Sequence, residues 1–209
     1  MTSLSDRDRA ELIGRYSTRF DRHGVDPRTL NVGNPDKYAR QHAVHAAVSR
    51  LEGAAILDIG CGLANFYEYL QTRGLNVHYI GYDVVEPFIV ANRARFPEAT
   101  FRLADISRDD IADRCDYVVM CQVFNNKYRE ANNVAVVEGA IRRAFLAADK
   151  AVSIDMLSSY VNRMEDNLFY YSPEQMFGFA KSLTPYVSLL HGYLDHHFTI
   201  QLFKGRSEI

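Results

Sequence analysis

The sequence of 209 residues lacks a long apolar run and an excess of charge of either sign. No apolar stretch approaches the roughly 20 residues that a membrane-spanning helix needs, so we expect no membrane association. The first twelve residues, MTSLSDRDRAEL, are polar and mixed in charge, and we expect no secretory signal there. With 24 Lys and Arg against 26 Asp and Glu, the net charge of −2 argues against a protein whose main role is to bind nucleic acid.

Cysteine is also scarce. Cys61, Cys115 and Cys121 are widely separated, odd in number and without CxxC spacing. This pattern favours reduced thiols in a cytoplasmic protein over a disulfide framework or a zinc site. The hydrophobic fraction of 47% and the charged fraction of 24% are typical of a soluble globular chain, which at this length can bury a substantial core.

From residue 54 onward, apolar runs typical of strands alternate with helical patterns. The predicted strands lie at residues 54–59, 77–83, 99–104, 116–121 and 151–155, and the predicted helices at 63–72, 86–95 and 130–148. Such alternation indicates a doubly wound α/β sheet whose strands run mostly parallel.

The end of the chain departs from this alternation. Ser172-Pro173-Glu174 supplies a serine cap and a first-turn proline for a helix predicted to reach residue 181. Two further predicted strands, at 185–190 and 198–203, are joined by a connector too short for a parallel crossover. The sequence therefore predicts a Rossmann-like, seven-stranded α/β sheet, mostly parallel, with the last strand antiparallel.

The segment before residue 54 predicts helices at 6–23 and 35–51, joined by a loop rich in Gly, Asn and Pro. We find no repeat, low-complexity tract or second domain. The whole chain, 1–209, is therefore predicted to form one domain, with a helical cap at 1–53 and a core at 54–209. The pattern does not distinguish a lid from a dimer contact, so both a monomer and a homodimer remain open.

The first predicted strand ends in a glycine-rich bend, AAILDIGCGLANF, at residues 54–66. Two glycines at such a bend let a ligand approach the backbone near a helix N-terminus. The nucleoside triphosphate motif GxxxxGK[ST] is absent. The dinucleotide fingerprint would place Gly or Ala where Asn65 stands, and it has no need of the acid at Asp58.

The pattern D-x-G-x-G, here Asp58-Ile59-Gly60-Cys61-Gly62, resembles the first motif of the class I S-adenosylmethionine-dependent methyltransferases. In that family the loop wraps the methionine end of the cofactor and the acid orients the loop. Ala64 stands where the family often has a third glycine. Asp83 follows at the end of the second predicted strand, where a carboxylate can accept both ribose hydroxyls.

Two later segments extend the resemblance, which covers about residues 54–203. Leu103-Ala104-Asp105-Ile106 is similar to the family's adenine-binding signature, in which the Asp meets the adenine amino group. Gln122-Val123-Phe124-Asn125, after the fourth strand, corresponds to the catalytic loop. The resemblance implies S-adenosylmethionine as cofactor, with S-adenosylhomocysteine as product. The cofactor-binding residues that it implies are Asp58, Gly60, Cys61, Gly62, Asn65, Asp83, Val84, Asp105, Ile106, Cys121 and Gln122.

The segments at 20–41 and 170–203 also resemble a bacterial subgroup of small stand-alone methyltransferases, most without an assigned substrate. Nucleic-acid amino methyltransferases typically carry [DNS]PP[YF] after the fourth strand, and cytosine-carbon enzymes use Pro-Cys. Neither string occurs here. Gln122, Asn125 and Asn126 are neutral amides, and Asp155 alone is a poor magnesium site. We therefore expect metal-independent, in-line transfer to an oxygen, nitrogen or carbon atom of a small organic acceptor, with no metal bound.

Two other functions stay open at this point. The acceptor could be a protein or RNA, or the chain could be a cofactor-binding partner subunit without its own turnover. An NAD oxidoreductase ranks last because of Asn65.

Side chains near the expected methyl group supply candidates for catalysis and acceptor binding. A histidine at the start of the last strand could act as general base near neutral pH. The catalytic candidates are His196, His197, Asp155 and Tyr160, and the acceptor-binding candidates are Asn125, Asn126, Tyr38 and Tyr170. Lys37 and Arg40 could cover the cofactor carboxylate, and His42 and His45 could flank a site or be solvated. The aromatic run 169–171 could wall a pocket or pack beneath the final helix.

Overall fold

The computed structural model describes residues 3–31 and 33–206. Residues 1–2, 32 and 207–209, which belong to the predicted cap and core, lie outside the described residues. The helices are α1 (Asp6–His23), α2 (Pro35–Ala46), α3 (Asn65–Thr72), α4 (Glu86–Arg95), α5 (Asn133–Ala147) and α6 (Pro173–Leu183), with a 3₁₀ helix at Pro27–Leu30. The strands are β1 (Ala55–Ile59), β2 (His78–Asp83), β3 (Thr100–Leu103), β4 (Cys115–Met120), β5 (Ala148–Leu157), β6 (Val187–Leu190) and β7 (His197–Phe203).

The seven strands form one sheet in the order β3-β2-β1-β4-β5-β7-β6. The pairs from β3 to β5 are parallel, and β7 is antiparallel to both β5 and β6. The prediction of a mostly parallel Rossmann-like sheet with an antiparallel last strand is confirmed. The strand order reverses between β1 and β4, and the carboxyl ends of strands at such a switch point flank the usual ligand crevice.

Apolar side chains cover both faces of the sheet, as a parallel sheet requires. Val118 and Met120 of β4 pack on one face with Val136 and Ile141 of α5. Val119, between them, points to the other face and packs with the cluster that contains Phe66 of α3. This alternation fixes which β4 face meets which helix, and so holds the strand ends in place.

The helix starts follow from their capping residues. The Ser5 hydroxyl accepts the Asp8 N–H at the start of α1, and Ser172 accepts the Gln175 N–H at the start of α6. Asn34 caps α2 by accepting the Asp36 and Lys37 N–H groups, with proline next in the first turn. Within the described residues, no helix has both the length and the hydrophobicity to cross a membrane.

Several element boundaries differ from the sequence prediction by a few residues. Strand β5 starts at Ala148 and runs on to Leu157, because it pairs along its length with β4 and β7 although Asp149 and Lys150 are polar. Helix α2 ends at Ala46 instead of residue 51. Helix α3 starts at Asn65 because Ala64 before it has a left-handed backbone, with φ of 58°.

Candidate active site

A cavity of about 450 Å³ lies at the carboxyl ends of β1, β2 and β4. The segment before β1 forms the opposite wall, which we call the N-terminal wall. The residues of this wall are Leu4, Leu12, Arg15, Tyr16, Arg19, Leu30, Asn31, Lys37, Tyr38 and His42. The cavity volume falls in the range of typical small-molecule sites.

The cavity brings most of the predicted site residues together. All eleven residues predicted to bind the cofactor line it, and so do Tyr38, Asn125 and Asn126 among the acceptor candidates. Of the catalytic candidates, His197 lines it. His196, Asp155, Tyr160 and Tyr170 are not among its lining residues.

The glycine bend is held tightly against β2. The backbone N–H groups of Gly60 and Cys61 both donate to the Tyr82 carbonyl, at 2.8 and 2.9 Å. Gly60 has φ of 71° and Gly62 has φ of 53°, which L side chains rarely adopt. A Cβ atom at Gly60 would also lie 2.6 Å from the Val123 side chain, so this position requires glycine.

Asp83, at the end of β2, ties the glycine bend to the start of α4. Its Oδ2 accepts the Gly62 N–H at 2.8 Å and its Oδ1 accepts the Val85 N–H at 2.9 Å. Burial raises the pKa of this carboxyl, and the backbone hydrogen bonds oppose that shift. Each oxygen keeps lone-pair capacity for a ligand hydroxyl.

Asp58, at the end of β1, has one satisfied and one unsatisfied oxygen. The Tyr79 hydroxyl donates to Oδ2 at 2.5 Å, while Oδ1 is buried without a hydrogen-bond partner. Burial raises the pKa of Asp58 to about 7, and the Tyr79 hydrogen bond limits that rise. A buried carboxylate oxygen without a partner favours a cationic or hydrogen-bonding ligand.

Asp105, after β3, is already well bonded. Its Oδ1 accepts the Ser107 N–H and hydroxyl, and its Oδ2 pairs with Arg9 of α1 at 3.0 Å. The carboxyl therefore fastens α1 to the sheet, and the neighbouring Ile106 gives the cavity an apolar lining.

Asp8 anchors α1 at a second point, which sequence analysis missed. Its carboxylate accepts the backbone N–H groups of Arg129, Glu130 and Ala131 at 2.7, 3.1 and 2.8 Å. Although burial acts to raise its pKa, these bonds hold the pKa of Asp8 below its usual value. In the sequence, Asp8 has the pattern of a first-turn acid after the Ser5 cap, with no local sign of a partner more than a hundred residues away.

The prediction that Asp155 is catalytic is corrected by its position. Because β5 continues past it, Asp155 lies inside the sheet and is fully buried. Its carboxylate accepts the Gln122 N–H at 2.5 Å and the Gln41 side-chain N–H at 2.8 Å. Burial would raise its pKa, but His45 and the other contacts hold the pKa below its usual value. Asp155 therefore positions Gln122, whose φ is 59°.

His45 lies beside this carboxylate and was expected either to flank a site or to be solvated. It is fully buried, with Nδ1 at 2.8 Å from the Ser153 hydroxyl and Nε2 at 3.8 Å from Asp155. Potential ligand atoms of His45, Cys121 and Asp155 lie within 4.8 Å of one another. Within the protein, the two Asp155 oxygens accept hydrogen bonds from Gln41 and Gln122, and Nε2 of His45 is buried without a hydrogen-bond partner.

His197 is the predicted catalytic residue that reaches the cavity. It is 2% exposed, and its Nδ1 has no hydrogen-bond partner. Burial lowers the pKa of His197 to about 4, so the ring is neutral at pH 7. His196, in contrast, is exposed, and its backbone carbonyl accepts the Ser158 N–H.

The aromatic candidates after β5 point away from the cavity. Tyr160 is 63% exposed and donates its hydroxyl to Glu174, and the Tyr170 hydroxyl accepts the Glu165 N–H. Tyr171 is buried in the core, with its hydroxyl bonded to the Phe124 carbonyl at 2.9 Å. None of the aromatics at 160 and 169–171 is among the lining residues of the cavity.

Sequence analysis also missed two cations and a phenol of α1. Arg15, Tyr16 and Arg19 all line the cavity. Arg15 donates to the Asn126 side-chain oxygen at 2.7 Å, and Arg19 donates to that of Asn31 at 2.8 Å. Leu12, Arg15, Tyr16 and Arg19 follow the i, i+3, i+4, i+7 spacing of one helix face, which was the available signal.

Comparison with known proteins agrees with this arrangement. Residues 57–145 match a family model described as "Methyltransferase domain". Rv1506c of Mycobacterium tuberculosis, provisionally named a methyltransferase, is 30% identical over 163 residues, which span 76% of this chain and 98% of the relative.

Two solved structures share the fold. A DhpI-SAM-HEP complex has a TM-score of 0.72 at 13% identity, over 95% of this chain and 99% of that one. Magnesium protoporphyrin IX methyltransferase from Synechocystis PCC 6803 with bound SAH has a TM-score of 0.65 at 14% identity, over 96% of this chain and all of that one. The observed sheet order and the matched relative show that the chain belongs to the class I S-adenosylmethionine-dependent methyltransferases.

Proposed function

We propose that the chain transfers the methyl group of S-adenosylmethionine to an oxygen, nitrogen or carbon atom of a small organic acceptor, without a metal ion. The cavity carries this proposal, since it joins the glycine bend to Asn125 and His197 beneath the N-terminal wall. In this proposal the chain works as one domain, in which residues 1–53 cap the core at 54–209.

The residues at the strand ends fit the cofactor. The unpartnered Oδ1 of Asp58 suits the ammonium group of the methionine part, and Asp83 retains acceptor capacity for the two ribose hydroxyls. The open glycine bend admits the ligand close to the backbone, and Ile106 offers an apolar surface for the adenine. We assign the rest of the cofactor contacts to Cys61, Asn65, Val84, Asp105, Cys121 and Gln122, which line the same cavity.

When bound, S-adenosylmethionine supplies a sulfonium-activated methyl carbon, to which the acceptor lone pair bonds while the sulfur keeps the electrons of the broken bond. The protein's task is then to align the acceptor and exclude water. Asn125, Asn126 and Tyr38 can orient the acceptor by hydrogen bonds. His197 is neutral at pH 7 and can take a proton from a nucleophile that carries one.

The donors near the proposed acceptor position support transfer without a metal ion. The polar groups after β4 are the amides of Gln122, Asn125 and Asn126, which are weaker ligands for Mg²⁺ than carboxylates. The carboxylate of Asp155, two residues before the end of β5, accepts hydrogen bonds from Gln41 and Gln122.

The test is titration calorimetry with S-adenosylhomocysteine and with NADH for the wild type, Asp83→Asn, Asp83→Ala and the exposed control Asp166→Ala. We expect micromolar S-adenosylhomocysteine binding by the wild type and the control, about 10- to 100-fold weaker binding by the Asp83 variants, and no NADH binding. Circular dichroism melting checks that the variants fold.

Acceptor class is tested by mass spectrometry of methylated products from a small-molecule library, a protein lysate and total RNA. The proposal requires product from the small molecules. Absence of S-adenosylhomocysteine binding, unchanged binding by both Asp83 variants, or product from protein or RNA alone would overturn it.

A further inference from the structure

Three cationic side chains line the cavity without an acidic partner. They are Arg15 and Arg19 of α1 and Lys37 of α2. Among residues 3–31 and 33–206, none of the ion pairs within 4 Å involves any of them. By contrast, Arg9, a few residues earlier on α1, is paired with Asp105. The N-terminal wall therefore presents three cations without an ion pair, while the carboxyls of Asp58 and Asp83 lie at the strand ends that line the same cavity.

The cofactor accounts for one of these cations. It carries a single carboxylate, at the methionine end that the glycine bend is proposed to hold. Arg19 is bonded to Asn31, and the neighbouring Leu30 side chain would lie 3.1 Å from a Cβ atom at Gly62. Arg19 is thus the cation on the glycine-bend side, and we assign it to the cofactor carboxylate.

The other two cations belong to the opposite side of the cavity. Arg15 donates to Asn126 in the loop after β4 at 2.7 Å. Lys37 lines the cavity one helical turn before Gln41, whose side chain bonds Asp155 of β5, the strand that pairs with β7. The charge of Lys37 adds to the effect of burial in lowering the pKa of His197. Arg15 and Lys37 therefore lie on the side of the cavity that we assign to the acceptor.

His197 offers a ligand on this side a polar atom that the protein leaves unused. Its ring is almost completely buried, lines the cavity, and has an Nδ1 atom without a hydrogen-bond partner. A buried polar nitrogen without a partner is costly unless a ligand satisfies it. Asn125 lies beside the same space and uses its side-chain oxygen to accept the Leu157 N–H, which leaves its amide N–H groups available as donors.

We infer that the methyl acceptor is a small organic anion whose carboxylate or phosphate-type oxygens are bound by Arg15 and Lys37 on the His197 side of the cavity. This inference rests on the proposed function and names its acceptor class. Two cations, one of them a planar guanidinium, suit oxyanions, which accept charge-assisted hydrogen bonds. A neutral acceptor would make no use of the charge on either side chain.

The inference is tested by anion binding to the protein saturated with S-adenosylhomocysteine. Calorimetry at low ionic strength compares inorganic phosphate, malonate and the uncharged malonamide. We expect phosphate or malonate to bind at least about tenfold more tightly than malonamide, since charge-assisted bonds are roughly twice as strong as neutral ones. The tighter of the two anions distinguishes a phosphate-type acceptor from a carboxylate.

The variants Arg15→Gln and Lys37→Gln should each weaken anion binding about tenfold and leave S-adenosylhomocysteine binding within about twofold. Arg19→Gln should do the reverse. Arg22→Gln on α1 and Arg40→Gln on α2 are matched controls, because both side chains are exposed and neither lines the cavity. We expect them to change neither affinity.

Two results would overturn the inference while leaving the proposed function intact. One is equal binding of malonamide and the anions, or binding of none of them, by protein that still binds S-adenosylhomocysteine. The other is unchanged anion affinity in both Arg15→Gln and Lys37→Gln. Failure of the wild type to bind S-adenosylhomocysteine would overturn the proposed function first, and the inference with it.

Discussion

The Tyr79 hydroxyl donates a 2.5 Å hydrogen bond to Oδ2 of Asp58 and leaves Oδ1 of the same carboxyl buried without a partner. The Tyr79 ring is fixed by stacking on Tyr67, with ring centroids 4.5 Å apart. Burial raises the pKa of Asp58 to about 7, and this hydrogen bond limits the rise. A carboxyl that titrates near neutral pH, beside the proposed cofactor ammonium, links cofactor binding to proton release.

Tyr79→Phe removes that hydrogen bond, so the pKa of Asp58 should rise further. At pH 7 we expect S-adenosylhomocysteine to bind about tenfold more weakly, since hydrogen bonds to charged groups contribute about 1.5–3 kcal/mol. More protons should be released on binding. Calorimetry in buffers of different ionisation enthalpy measures both quantities. Tyr67→Phe is the control, because its hydroxyl bonds to Glu98 outside the cavity. Equal affinity and proton release in both variants would contradict the linkage.

Asp58 also makes stability depend on pH. Because its pKa is raised in the folded state, its contribution to folding is fully present below the unfolded value of 3.8 and is lost as pH rises through about 7. Asp58→Asn removes this titration. The free energy of unfolding of the variant, relative to the wild type, should therefore increase by about 3–4 kcal/mol between pH 4 and pH 8. Urea unfolding across this range is the measurement, and a constant difference would show that the folded-state pKa is not raised.

Gly60→Ala should lower both stability and cofactor affinity. The new Cβ would meet Val123 at 2.6 Å, and φ of 71° disfavours any L side chain, so we expect a loss of about 1–3 kcal/mol. Adding Val123→Ala to the Gly60→Ala variant should restore only part of the lost stability, because it relieves the contact but not the backbone strain. Gly178→Ala is a matched control in α6, where nothing lies within 4 Å of the added Cβ. This substitution should raise the free energy of unfolding by about 0.5–1 kcal/mol. Urea unfolding and S-adenosylhomocysteine titration distinguish the two sites.

Asp155→Ala tests the positioning role that replaces the predicted catalytic one. The change leaves the Gln122 N–H and the Gln41 amide without an acceptor, which should cost about 2–4 kcal/mol of unfolding free energy. S-adenosylhomocysteine affinity should fall as well, because Gln122 lines the cavity. Asp166→Ala, at an exposed position, serves as the control. Full stability together with full affinity in Asp155→Ala would show that this network does not hold Gln122.

The parts of the site that could be predicted from the sequence are those encoded by neighbouring residues. The glycine bend and Asp83 follow strands whose apolar patterns are clear, and all the residues predicted from them meet at one cavity. The N-terminal wall depends on contacts between residues more than a hundred positions apart, such as Asp8 with Ala131 and Arg15 with Asn126. No local pattern indicates such pairings.

The position of Asp155 differs from the sequence prediction for a similar reason. A strand of 151–155 would place Asp155 at the strand end, where site residues lie. Pairing with β7 extends β5 by two residues, to Leu157 opposite His197, and this moves Asp155 into the sheet interior. Cross-strand hydrogen bonds thus decide where a strand ends, and they cannot be read from the strand's own residues.

The division of the cavity between strand ends and N-terminal wall has an evolutionary consequence. The side chains proposed to hold the cofactor sit at the ends of strands that also build the core, so few substitutions are tolerated there. Arg15 and Lys37 project from helices that start at the caps Ser5 and Asn34 and lie outside the sheet. Substitutions on these two helix faces can therefore change which compounds are methylated, while the residues proposed to hold the cofactor stay the same.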